Sequence, residues 1–436
     1  MLSLLVALAA APIDLDLKIG EPTPTGVQVW VRPYEVTDTP AADGRVPGVA
    51  AEVTATIERD GETLAESAAT VDGSTDFAAT LVLDGLPQPT GETAATYQLT
   101  VTAQTPDETA TRTLDLTLPP GPTADADALL VAINCIEYDD RDAGADGFRV
   151  FETMRQLDGH RPDACIFTGD TVYYDRDSLW TDSLAIARLH WQRQFGTTHL
   201  REFMREVPCL FQFDDHDVYV DDCWPGRYTK KTGDWRFEDG VRTVFEQLPL
   251  VPSQPTFRAS RWGRHLELWL LEGRLHRSPN TMPDGPGKTI LGPQQMAWLR
   301  QSLAASEATF KLVVSPTPIV GPDRESKNDN YANDGFTHEG DIVRQMLADA
   351  GAVVLCGDRH WQYRSIDPAT GLEELSIGPA TDEHAGGKPK RTPDWQPWVR
   401  VAGGFVSIAV ASGEQPTLAI RHHDVAGDVV HERTWP

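Results

Sequence analysis

The chain has 436 residues and a formal net charge of −27, from 65 Asp plus Glu against 38 Lys plus Arg. Such a surface repels nucleic acid and anionic membranes, so neither is expected as a stable partner. An apolar fraction of 40% with 12 Trp supports a packed core and excludes global disorder, and the length allows two or three domains.

The chain opens with Met1-Leu2-Ser3-Leu4-Leu5-Val6-Ala7-Leu8-Ala9-Ala10-Ala11, an apolar run ending in small residues. It resembles the hydrophobic part of an export signal. Residues 1–12 are therefore expected to be a signal segment, and the protein to be secreted, periplasmic or at the cell surface. The absence of Lys or Arg before Lys18, and Pro12 at the cleavage position, depart from that pattern. No other stretch reaches the roughly 18 apolar residues of a membrane span.

Residues 13–120 read as all-β. Val27–Arg32, Glu52–Ile57 and Tyr97–Thr102 alternate apolar and polar side chains, and Ala79–Leu83 and Thr113–Leu118 add further short runs. Strands at this spacing, separated by turn residues, predict a β-sandwich of fibronectin or immunoglobulin type, with a structural or interaction role. The segment Pro119 to Asp127 reads as a linker.

Residues 121–436 have a different texture. Strands are predicted at Leu129–Ile133, Leu266–Leu271, Lys311–Ser315 and Gly404–Val410. Helices are predicted at Phe148–Leu157, Asp182–Arg205, Trp235–Gln247, Pro293–Ala304 and Glu339–Ala350. Alternating strands and helices predict an α/β catalytic domain.

Three further apolar runs each end in acids and histidines. Ala164–Thr168 leads into Gly169-Asp170-Thr171-Val172-Tyr173. Pro208–Phe213 leads into Asp214-Asp215-His216-Asp217. Ala352–Cys356 leads into Gly357-Asp358-Arg359-His360. Continuous apolar runs are the mark of buried parallel strands, and such sheets bind ligands at the carboxyl ends of their strands. Three acids and a histidine within four residues repel one another unless a cation intervenes. Asp358 and His360, at alternate positions, share a side if the backbone is extended.

The five Cys are an odd number, so a complete disulfide framework is excluded, although a single bridge stays open. Cys165, Cys209 and Cys356 sit inside apolar runs as small hydrophobes. Cys135 and Cys223 fall at loop borders and are better candidates for chemistry. Cys135 follows the strand ending at Ile133 and offers a thiolate at a fourth strand end.

The order of these motifs resembles the alkaline phosphatase D (PhoD-like) family of the calcineurin-type metallophosphoesterases. That family carries a GDxxY element, a DDHE-like element and a GDxH element in this order, and a Cys at the first strand end. Lys288-Thr289-Ile290-Leu291-Gly292-Pro293-Gln294-Gln295-Met296-Ala297-Trp298-Leu299 resembles its KTxLGxxQxxWL helix start. Leu17–Glu21 with Val29–Arg32 resembles its N-terminal β-region, and Asp329-Asn330-Tyr331 and Gly403–Val406 also fit.

The resemblance implies a metallophosphoesterase-type α/β sandwich that hydrolyses small-molecule phosphate esters, monoesters or diesters, with a metal-activated water or oxide. It implies Cys135, Asp170, Tyr173 and His360 as ligands of a ferric ion, Fe3+. It implies Asp170, Asp215 and Asp358 as ligands of one or more Ca2+, with Asp170 shared. A thiolate and a phenolate suit iron, and all-oxygen ligation suits calcium. His216 would stabilise phosphoryl oxygens or protonate the leaving oxygen. Arg274, Asn330 and Arg359 are expected near the phosphate, and the patch Asp382-Glu383-His384 at the rim.

The chain departs from the pattern where Asp217 replaces the usual Glu and where Glu272-Gly273-Arg274 stands for Asp-x-Arg. Residues 315–318 also lack the His that many dinuclear relatives carry there. Two alternatives remain: a phospholipase- or nuclease-type phosphodiesterase, and a non-catalytic surface protein that binds a partner through its β-region.

Overall fold

A computed structural model describes residues 12–37, 41–88, 94–176 and 178–436. Nearly all of the expected signal segment, residues 1–11, lies outside the described residues. No helix among the described residues is long and apolar enough to cross a membrane.

Two mixed sheets face each other. One has nine strands and the other seven. In the first, Ala128–Ile133, Ala164–Thr168 and Cys209–Gln212 run parallel and side by side. In the second, Leu266–Leu270, Phe310–Ser315 and Ala352–Cys356 do the same. The strands are apolar on both faces because both faces are covered. Leu130, Ile166 and Leu210 meet Leu268, Leu312 and Leu355 between the sheets. On the outer face of the first sheet, Phe167 and Phe211 pack under Phe151 and Phe203 from helices Arg149–Arg155 and Thr198–Glu206. On the outer face of the second, Val313 and Val354 pack under Leu299 and Val343 from helices Gly292–Ala305 and Thr337–Asp349. The result is the predicted mixed α/β arrangement of helix, sheet, sheet and helix.

The structure refines the reading in three places. The long helix predicted over Asp182–Arg205 is two helices, Leu184–Phe195 and Thr198–Glu206. The chain turns out of the helix at Gly196 and is extended at Thr197, with φ −67° and ψ 144°. The three acid-bearing strand ends do not share one sheet. The first two end the nine-stranded sheet, whereas Ala352–Cys356 belongs to the seven-stranded one. The site therefore forms where the carboxyl ends of two facing sheets converge.

The third refinement concerns the first 118 residues. Glu62–Val71, Ala51–Arg59, Ala95–Gln104 and Thr109–Leu118 form a separate four-stranded sheet. Its inward residues Val53, Ala55, Ile57, Leu99 and Val101 bury against Leu15, Val29 and Val31. Those last three lie on Ile13–Thr23 and Gly26–Glu35, which with Ala79–Leu83 complete the nine-stranded sheet. Gly20 pairs in parallel with Cys209. The nine-stranded sheet thus runs across the division expected at residue 120. Lys18 fastens this junction: its Nζ donates to the Gln247 carbonyl at 2.5 Å and lies over the rings of Trp30 and Phe195 at 3.7 and 3.8 Å.

Candidate metal centre

Three strand ends place a candidate ligand by a turn into the left-handed region, whereas Asp214, after Cys209–Gln212, is extended with φ −130° and caps the short helix Asp215–Val218. Cys135, Asp170 and Asp358 have φ of 48°, 53° and 62°. A non-glycine residue there costs of order 1–3 kcal/mol and persists only where the surroundings enforce it. The glycine before Asp170 and the one before Asp358 supply the room. A Cβ at Gly169 would lie 2.6 Å from the Asp214 Cβ, and one at Gly357 would lie 2.7 Å from the Asn134 Oδ1. Asp358 is therefore not in the extended backbone anticipated from the alternate spacing, and Asp358 and His360 serve different groups.

These turns gather ligand atoms that lie within 4.8 Å of one another in each of several sets. Cys135, Asp170 and His360 form one set, Asp170, Asp215 and His216 a second, and Asp170, Asp214 and Asp358 a third. Asp170 belongs to all three. It is buried, and its Oδ1 has no hydrogen-bond partner. A buried carboxylate oxygen left bare is costly, and a cation is the natural occupant. Tyr173 is buried beside this cluster, in hydrogen-bond reach of Cys135. The donor set of thiol, phenol, imidazole and carboxylates fits a metal.

The titration states agree. Burial, then the carboxylates of Asp215 and Asp214, pushes Asp170 well above the usual carboxylate range. Burial and the neighbouring Asp170 push the Cys135 thiol up. Burial, then Cys135 and Asp170, does the same to the Tyr173 phenol. Burial and the neighbouring His384 hold His360 neutral, the form that ligates metals.

His216 behaves oppositely. Burial disfavours its charge, but Asp175, Asp215 and Asp170 outweigh burial and keep the imidazole protonated. Its Nδ1 donates to Asp175 Oδ1 at 2.6 Å, which leaves Nε2 free for the acidic cluster. The ring stacks on Tyr173 with centroids 4.4 Å apart. Asp175 Oδ2 also accepts the N–H of Asp221 at 2.8 Å. Sequence reasoning missed Asp175, although it stands only two residues after Tyr173.

Asp217, the replacement for the usual Glu, acts on the backbone. Its Oδ2 accepts the N–H groups of Asp170 and Asp214, each at 2.8 Å. Its Oδ1 accepts those of Thr171 and Val172 at 2.8 and 3.0 Å. One carboxylate thus ties the first strand end to the second.

The three residues expected near phosphate are all buried and already committed to other groups. Arg274 Nη2 donates to Asp214 at 3.0 Å, and its Nε to the other oxygen of the same carboxylate. It also lies 3.6 Å from Asp215. Arg359 pairs with Asp323 at 2.6 Å and with Asp358. Asn330 donates to Asp323 at 2.8 Å. They brace acids of the cluster itself and, in Asp323, one outside it, because a desolvated guanidinium needs a carboxylate close by.

His384, anticipated at the rim, reaches the centre itself: its Nε2 lies 3.1 Å from the Tyr173 hydroxyl. Asp221 and Asp222 lie beside Asp215 and hold Lys327 Nζ at 3.1 and 2.7 Å. Cys223, the other candidate thiol, is buried against the Asp215 carbonyl, and all five cysteines are free.

The fold has counterparts among solved structures. One described as "Structure of PhoD" superposes with a TM-score of 0.73 at 16% identity, covering 96% of this chain and 88% of that one. The purple acid phosphatase PPD1 from seeds of yellow lupin (Lupinus luteus) superposes with a TM-score of 0.66 at 12% identity, covering 98% of this chain and 75% of that one. At these identities the likeness is one of fold. Among curated proteins, none matches the sequence. The acid- and imidazole-bearing strand ends thus sit on a fold shared with these two structures, and the class of protein is given by a family profile. The profile described as "PhoD-like phosphatase" matches residues 130–398. The chain belongs to that family and is a phosphoric ester hydrolase.

Proposed function

We propose that the protein is an exported phosphatase acting on small phosphate esters, with a ferric ion held by Cys135, Asp170, Tyr173 and His360 and calcium held by Asp170, Asp215 and Asp358. The observation that carries this reading is Asp170, shared by three candidate ligand sets with one buried oxygen unpartnered. Thiol and phenol favour a trivalent iron, whereas Asp215 and Asp358 add only oxygen. When bound, such cations supply Lewis acidity and a nucleophilic oxygen at moderate pH.

The protein's own groups do the rest. Arg274, Arg359 and Lys327 are each neutralised by carboxylates, so cations must supply the attraction for a dianionic ester in this acidic chain. His216, held through Nδ1 by Asp175, presents a protonated Nε2 and donates its proton to the departing alcohol oxygen. His216, Asp358 and His360 are partly exposed, and substrate approaches over them. The first 118 residues serve as a structural module.

Elemental analysis of purified, active protein tests the metals, and paired rates on a mono- and a diester of 4-nitrophenol test the substrate class. Active protein holding neither iron nor calcium would overturn the cofactor reading. Undiminished hydrolysis by Asp170→Ala would overturn the site.

A further inference from the structure

The segment between strands Glu373–Ser376 and Trp398–Arg400 has no part in the proposed reaction, yet it touches three of the four groups assigned to iron. The N–H of Ala380 donates to the Cys135 carbonyl at 3.3 Å. The N–H of Gly386 donates to the His360 carbonyl at 2.9 Å. Between them, the His384 ring lies 4.1 Å from the His360 ring, centroid to centroid, and meets the Tyr173 ring edge-on at 5.4 Å.

His384 is itself held from behind. Its Nδ1 lies 2.7 Å from Asp140 Oδ2. A carboxylate only accepts, so Nδ1 carries the hydrogen and Nε2 faces Tyr173 as acceptor. Asp140 is fixed by Arg176 at 2.9 Å, and Arg176 also pairs with Glu137 at 2.6 Å. The ring is thus held in place by two other segments of chain, residues 137–140 and 173–176. Outer hydrogen-bond partners of this kind orient the groups that bind a metal.

We infer that His384, held by Asp140, is a positioning residue for Tyr173 and His360. It fixes the phenol so that the oxygen's remaining lone pair faces Cys135 and Asp170, and it walls the His360 ring on one side. When the phenol is ligated its hydrogen passes to Nε2, while Nδ1 keeps its own towards Asp140, so the contact persists with nitrogen as the donor. The inference rests on the proposed iron site and adds to it a residue from a separate piece of chain.

The test compares iron-loaded wild type with His384→Ala, His384→Gln and Asp140→Asn. The readouts are the phenolate-to-iron charge-transfer band and iron retention against a competing chelator. With the hydrogen bond gone, the phenolate oxygen is richer in electrons, so the band of His384→Ala moves to longer wavelength. Iron retention falls about 10–100-fold. His384→Gln, which places an amide near the same oxygen, lies between the two, and Asp140→Asn shifts the band in the same direction as His384→Ala. A wild-type band with an identical band and identical retention in His384→Ala overturns this inference alone. Wild-type protein with neither iron nor such a band overturns the iron reading and the inference with it.

Discussion

Asp217→Asn isolates the carboxylate that joins the two strand ends. The substitution keeps the shape of the side chain and replaces one oxygen with an NH2 group. In the native protein each oxygen accepts two backbone N–H groups, from Asp170 and Asp214 on one side and from Thr171 and Val172 on the other. The amide oxygen can serve one pair. The other pair then faces a donor and loses its acceptor in a buried setting. Each such orphan costs about 1–3 kcal/mol, so the total is about 2–6 kcal/mol. That is a large share of the roughly 5–15 kcal/mol by which domains are stable. Urea unfolding followed by tryptophan fluorescence reads the loss as a lower midpoint at unchanged slope. Cation binding weakens in parallel, because the left-handed turn at Asp170 is no longer enforced. A variant within about 0.5 kcal/mol of wild type, the range of an ordinary surface change, would refute the reasoning.

Removing the acid should cost most where the leaving group needs it most. His216→Gln is expected to lower kcat about 10²–10⁴-fold on an alkyl phosphate and much less on 4-nitrophenyl phosphate, and Asp175→Asn should follow the same pattern more weakly; equal losses on both esters would rule out proton donation by His216. Cation binding should release up to two protons to solvent, one each from Cys135 and Asp170, both held above their usual values in the cation-free protein, while Tyr173 passes its own to His384. Affinity should therefore rise with pH, and calorimetry in buffers of differing ionisation enthalpy should detect the release; identical heats in all buffers would contradict it. Burial pulls His190 and His422 down to about 3 from 6.5, so the unfolded chain binds the proton more readily. Their contribution, on the order of a few kcal/mol each, is complete above pH 6.5 and is lost as pH falls towards 3. A His190→Gln variant should show a flatter decline of stability over that window, and a decline parallel to wild type would count against the assignment.

What was legible in the sequence follows from what each residue has to do. Buried parallel strands must be apolar throughout, so Ala164–Thr168, Pro208–Phe213 and Ala352–Cys356 stood out, and so did the acids that follow them. Cys135, Asp170, Asp215 and His360 could be picked out because polar groups at the ends of such runs have few structural reasons to exist. The supports were harder to see. Asp175 and Asp140 act through imidazoles 41 and 244 residues away in the chain, and no local spacing encodes such a contact. The role of Arg274 and Arg359 was also hidden, because a guanidinium near a phosphate site and one buried against a carboxylate look alike in a string of letters. The distribution of strands between two sheets escaped notice for a similar reason: periodicity reports burial, whereas the identity of the neighbouring strand is decided by chain crossings.

The pairing of Gly20 with Cys209 has a consequence for how the enzyme can be divided. Strand Cys209–Gln212, which delivers Asp214 to Asp217, lies between Ala164–Thr168 and Ile13–Thr23. Without the first 118 residues it becomes an edge strand, with open N–H and C=O groups that recruit other chains. The N-terminal strands, from which none of the candidate ligands comes, keep the support of His216 and Asp217 in the interior of a sheet. Residues 121–436 taken alone are thus an enzyme core with an exposed flank, and truncation would be felt first as aggregation and only then as lost chemistry.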